Sequence, residues 1–212
     1  LSDVLERPAL LASCDILAFP GGFSFGDHLG SGKVLARLVK SSLKRELEAF
    51  VRDGKLILGI CNGFQVLVKM GILPNFLGDF TQEVSLIHNE SGLFIDRWVP
   101  VRYNEKNVSP WTQGLREAVY PIRHGEGRFI TASGEVAEEI RRKNLAALFY
   151  DGDNPNGSEM DIAGITDETG RILGMMPHPE AFLFPENHPS WTRGAVPALG
   201  RLLFENAVAY GA

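Results

Sequence analysis

The stretch Lys55–Pro74, KLILGICNGFQVLVKMGILP, sets the fold and points to the chemistry. Leu56 to Ile60 is a short apolar run of the kind that forms a parallel strand covered on both faces. Asn62 to Met70 reads as a helix, and Gly71 closes it. Between the two, Cys61 is flanked two residues either side by Gly59 and Gly63. A strand ending at a cysteine and a helix starting at the next residue force that cysteine into a strained turn, with the glycines supplying clearance that a Cβ would block. Free N–H groups and the positive dipole end of the helix favour thiolate over thiol at such a place. A lone cysteine is usually a small core hydrophobe. The GxCxG spacing in a strand-then-helix context favours a nucleophile instead.

Working outward, DILAFP (Asp15 to Pro20) reads as a buried strand ended by Pro20, Gly21 and Gly22, which open a loop through FSFGDHLGSGK. Apolar positions from Val34 to Val51 recur at helical spacing. Strand, helix, strand, helix predicts an α/β domain with an open, mainly parallel central sheet and helices on both faces. From about 80 to 129 the segments EVSLIHN, LFIDRWVPVRY and AVYPIRHGEGRF alternate polar and apolar residues and predict a partly antiparallel insertion. A helix over 132–144, a strand over 146–150, a hairpin formed by 161–165 and 171–176, and a final helix over 197–210 complete the reading. Cys14 lies outside any motif and is expected in the core.

The 212 residues, 44% hydrophobic, fit one large domain spanning 1–212. A formal net charge of −5 without a sustained Lys/Arg cluster argues against nucleic acid as a partner. Two cysteines, one of them assigned a chemical role, give no disulfide framework and fit a reducing, cytoplasmic setting. No apolar run approaches a membrane span of about 20 residues.

A cysteine nucleophile needs a base, and the base needs an orienting group. Of five histidines, His178 follows the apolar segment ILGMM and sits in Pro177-His178-Pro179-Glu180. The two prolines hold the imidazole at a strand end, where open α/β sheets place their sites. Glu180, two residues on, is placed to bond the far ring nitrogen. No histidine or cysteine spacing supports a metal site.

FPGGFSFGDHLGSGK, GICNGFQVL, PIRHGEGRF, DNPNGS and MMPHPE together resemble the class I, or triad, glutamine amidotransferases, and within them the glutaminase components of phosphoribosylformylglycinamidine synthase. The resemblance implies a flavodoxin-like sheet and hydrolysis of glutamine to glutamate and ammonia. Cys61 would be the nucleophile, His178 the acid and base, and Glu180 its orienter. The oxyanion would be held by the Asn62 backbone N–H and one from Gly21-Gly22, such donors being worth about 2.7–4 kcal/mol. Gln65, one helical turn after Cys61, would reach back over the site to substrate. The HGEGRF loop with His124 and Glu126 has three readings: a wall of the glutamine pocket, a surface facing the synthetase, or an ordinary surface loop. DNPNGS reads as a plain turn or a partner contact.

The resemblance further implies a partner synthetase that takes the ammonia and, with ATP, converts formylglycinamide ribonucleotide to its amidine. This chain carries no cofactor in that scheme. It contains no GxxxxGK[ST] loop, so ATP and Mg are expected on the partner. Relatives carry a further strand, helix and strand before the segment matching DILAFP, and the sequence is therefore expected to be a piece of a longer product. Two rival functions stand beside this one. A cysteine hydrolase or peptidase of related architecture commonly has histidine directly after the cysteine, where Asn62 stands here. A non-catalytic binding module would have no use for an intact Cys61, His178 and Glu180 set.

Overall fold

The computed structural model describes residues 1–194 and 197–211. A short helix α1 (Ser2–Glu6) and a 3-10 turn (Pro8–Ser13) lead into β1 (Ile16–Phe19). There follow α2 (Lys33–Arg52), β2 (Leu56–Ile60), α3 (Asn62–Met70), β3 (Val84–Ile87), β4 (Ile95–Tyr103), β5 (Glu117–His124) and β6 (Arg128–Thr131). The chain ends with α4 (Gly134–Arg142), β7 (Ala146–Tyr150), β8 (Ile162–Thr166), β9 (Ile172–Met175) and α5 (Gly200–Gly211). No helix among the described residues is long and apolar enough to cross a membrane.

Seven strands form one open sheet in the order β1-β2-β9-β8-β7-β4-β5, and β3 pairs with β6 in a separate two-stranded sheet. Parallel pairing runs through β1, β2 and β9. From β9 to β8, β7, β4 and β5 every pairing is antiparallel. The parallel part thus spans fewer strands than the sequence predicts, and most of the expected antiparallel insertion, β4 and β5, continues the main sheet. The reason is connectivity: β8 and β9 are joined by the short turn around Gly170, which permits only antiparallel neighbours, whereas parallel ones need a long crossover. The crossover exists between β1 and β2, where α2 supplies it.

β2, β8 and β9 are buried at every position, as expected of central strands. α3 lies on β1, β2 and β9, and α2 packs against α3. Close approach at this seam depends on missing side chains. A Cβ at Gly63 would fall 1.8 Å from the Phe19 carbonyl oxygen, and one at Gly59 2.6 Å from Leu67 Cδ1. The glycines flanking Cys61 therefore let the helix sit directly on the strands. Cys14 is exposed, contrary to the expectation of a core residue. It is the residue after the 3-10 turn, its Sγ 3.6 Å from the Leu10 carbonyl, and it precedes an edge strand instead of lying within the sheet.

Candidate active site

Cys61 joins the C-terminal end of β2 to the first turn of α3 with φ 51° and ψ −105°. This is the strained elbow that the sequence predicts, and a non-glycine residue occupies such a conformation only when its surroundings enforce it. Enforcement comes from both sides: the Cys61 N–H donates to the Met175 carbonyl at 2.8 Å, and its own carbonyl accepts from Gln65 N–H at 3.1 Å. Sγ lies 3.6 Å from the Arg123 carbonyl oxygen at the end of β5.

β9 is the parallel neighbour of β2, with Ile60 opposite Met175, so the chain beyond β9 emerges beside Cys61. His178 is fixed there by its N–H, which donates to the Pro121 carbonyl at 2.9 Å. Its ring Nδ1 lies 2.6 Å from Glu180 Oε1, while Nε2 is buried without a hydrogen-bond partner among the described residues. Burial pushes the imidazole down, but the Cys61 sulfur and the Glu180 carboxylate outweigh it and lift its pKa to about 9. With its pKa raised the ring carries a proton at neutral pH, and the Glu180 carboxylate anchors it through Nδ1.

The Gly21-Gly22 turn borders the same space. A Cβ at Gly21 would lie 2.8 Å from His178 Cε1 and 3.6 Å from Cys61 Cβ. Gly22 has φ +137°, which L side chains rarely adopt. Asn62 is the first residue of α3, so its N–H has no acceptor within the helix. Its side chain has a second task that the sequence did not disclose. Oδ1 accepts from Ser24 N–H at 3.2 Å, and Nδ2 donates to Asp27 at 3.2 Å and to Gln65 Oε1 at 3.0 Å. Asp27 also accepts from Gly32 N–H at 2.9 Å. The loop from Pro20 to Gly32 is thereby tied to the start of α3.

The Gln65 side-chain amide is engaged at both ends by protein groups. Its Nε2 donates to the Glu126 carbonyl at 2.5 Å and its Oε1 is taken by Asn62, so it holds the HGEGRF loop in place. Helical spacing put Gln65 on the correct face, but the acceptor that decides where the amide points lies 61 residues away. Glu126 itself accepts from Ser31 N–H at 3.2 Å and pairs with Lys69 at 3.8 Å.

The HGEGRF segment is not an ordinary surface loop. His124 is 2% exposed, with Nδ1 3.0 Å from Asn89 Oδ1, and Nε2 without a partner among the described residues. Burial, and next the neighbouring His178, hold its pKa down to about 4, so its imidazole is neutral. Asn89 also accepts from Gly127 N–H and donates to the carbonyls of Leu93 and His124. Asn156 of DNPNGS braces the loop from behind through the Gly127 carbonyl at 2.8 Å and the Tyr150 hydroxyl at 3.1 Å. Asn156 and Ser158 of that turn are buried, while Asp153 is exposed. Asn89 was missed because a single asparagine at a strand end carries no motif. Among the described residues no group of three His, Cys, Asp or Glu is arranged to hold a metal ion.

A thiol, an imidazole raised by it and by a carboxylate, and backbone donors at a helix start and a glycine turn together make an arrangement suited to acyl transfer through a thioester. Residues 1–211 match the CobB/CobQ-like glutamine amidotransferase domain. The phosphoribosylformylglycinamidine synthase subunit PurQ of Dehalococcoides mccartyi is 42% identical over 98% of this chain and 84% of its own length. The subunit of the same name from Methanococcus maripaludis is 38% identical, over 90% of this chain and 75% of its own. Among solved structures, PurLQS from Thermotoga maritima superposes with a TM-score of 0.71 and 32% identity, covering 92% of this chain and 79% of that one. The chain belongs to the CobB/CobQ-like glutamine amidotransferase family, among the PurQ subunits of phosphoribosylformylglycinamidine synthase.

Proposed function

We propose that this chain hydrolyses glutamine and delivers the ammonia to a synthetase partner, which uses it with ATP to convert formylglycinamide ribonucleotide to the amidine in purine biosynthesis. The observation that carries the reading is Cys61 on its strained elbow beside an imidazole anchored by Glu180. In this scheme Sγ attacks the side-chain amide carbon of glutamine. The tetrahedral oxyanion takes hydrogen bonds from the Asn62 N–H and the Gly21-Gly22 turn. His178 passes its proton to the departing ammonia, then accepts one from the water that cleaves the γ-glutamyl thioester. Glu180 keeps the imidazole oriented through both steps. The side chains of Gln65 and Asn62 act indirectly, by holding the two loops that border the cysteine. ATP and its Mg belong on the partner, and a cytoplasmic location fits the reading.

The test is Cys61→Ala in the assembled enzyme. Glutamine-dependent amidine formation is expected to disappear while ammonia-dependent formation persists. Equal loss of both would remove Cys61 from the assigned role.

A further inference from the structure

A cleft of about 580 Å³ opens on the far side of the Glu126 loop, between α2, the end of α3 and β3. Lys33, Arg37, Lys40, Lys69 and His88 line it, with Ser85 as a neutral donor. Lys33, Arg37 and Lys40 fall at i, i+4 and i+7, so α2 presents them on one face. The one carboxylate in the lining, Glu126, is already engaged by Lys69 and by Ser31 N–H. Lys40 donates to the Phe80 carbonyl at 2.6 Å, and Lys69 donates to the Ser31 carbonyl. The side chains of Lys33, Arg37 and His88 have no hydrogen-bond or ion-pair partner among the described residues.

This gathering of cations is out of keeping with the whole chain, whose 26 acidic residues outnumber its 21 Lys and Arg. Like charges brought together around a concave space repel one another, and an anion placed between them reverses the sign of every pair. Lys69 adds to the cost: burial lowers its pKa against the opposing influence of Glu126 and Asp27. The volume falls in the range of small-molecule sites, roughly 300–1,000 Å³. A guanidinium with flanking ammonium groups and a hydroxyl is the donor set that suits phosphate oxygens.

We propose that this cleft binds a phosphate-bearing small molecule, free phosphate or pyrophosphate or a nucleotide, with Lys33 and Arg37 as its main ligands and Lys69 at its inner end. Lys69 and Glu126 place the ligand directly behind the loop that Gln65 fixes beside Cys61.

The test titrates the isotopically labelled full chain with inorganic phosphate, inorganic pyrophosphate and adenosine monophosphate, followed by amide chemical shifts. Saturable shifts confined to the first turns of α2, to Ser85–His88 and to Lys69 are expected, and they should weaken as salt is raised. Tighter binding of adenosine monophosphate than of the inorganic anions would identify a nucleotide as the source. The double variant Lys33→Glu, Arg37→Glu alters exposed positions and should weaken binding by about tenfold or more. Unchanged glutamine turnover by that variant in complex with the synthetase shows that it is folded. Absence of saturation by all three probes up to about 10 mM, or equal binding by the variant, overturns the proposal. So does loss of the synthetase complex in the variant without any anion binding by the parent chain, which would assign this face to the partner.

Discussion

Two histidines a short distance apart are pushed in opposite directions, and stability should record both. His178 has its pKa raised from 6.5 to about 9, so it contributes stability that is fully present below 6.5 and is lost as pH rises toward 9. His124 has its pKa lowered to about 4, so its contribution is present above 6.5 and is lost as pH falls toward 4. Denaturant midpoints measured across pH are expected to fall on both sides. Replacing His178 by Asn should flatten the alkaline limb, and replacing His124 by Asn the acid limb. If each variant kept its limb, the assignments would be wrong. Gly63→Ala is expected to cost about 1–3 kcal/mol or more, because its Cβ meets the Phe19 carbonyl and must push α3 off β1. Chemical denaturation reads that loss. At this scale the sequence was informative where the signal is local: Cys61, His178 and Glu180 are marked by immediate neighbours, a glycine pair or a proline pair, although the Met175 and Pro121 carbonyls that hold the first two come from distant segments. Gln65 and Asn62 were legible in place but not in direction, since both answer to groups on other loops.

At the scale of elements, the site is a strand end, a helix start and three loops, and the loops are held by side-chain amides. Asn62 alone ties Ser24, Asp27 and Gln65 together. Asn62→Ala is therefore expected to loosen the 20–32 loop and lower glutamine turnover by up to about a hundredfold, the scale of a misplacement near 1 Å. Faster amide hydrogen exchange at Ser24, with Cys61 still alkylated, would distinguish this from a collapsed helix. Strands and helices were read from periodicity nearly to their ends: the helix over Asn62–Met70 and the strand over Ala146–Tyr150 match the structure. Pairing direction was legible for the β8–β9 hairpin and for β4 with β5, but not for β7, whose antiparallel pairing to β4 and β8 joins these pieces into the main sheet. Alternation reports which face of a strand is buried and says nothing about its neighbour's direction.

For the whole molecule, the core is continuous across the parallel seam. Phe64 is fully buried on α3 and reaches so close to β9 that a Cβ at Gly174 would lie 2.1 Å from its ring. Phe64→Ala should cost about 3–5 kcal/mol and reduce activity in proportion to the unfolded fraction, with thermal unfolding as the measure. The order of strands was the least legible property at this scale, because β2 and β9 become neighbours through nothing in either segment's own sequence.

That neighbour relation has a temporal meaning. Ile60 and Met175 sit side by side in the sheet, yet everything between them is synthesised before the second reaches the first. A growing chain carries its thiol long before it carries the imidazole that arms it. On the proposed reading the site is assembled only when β9 and the segment after it join β2.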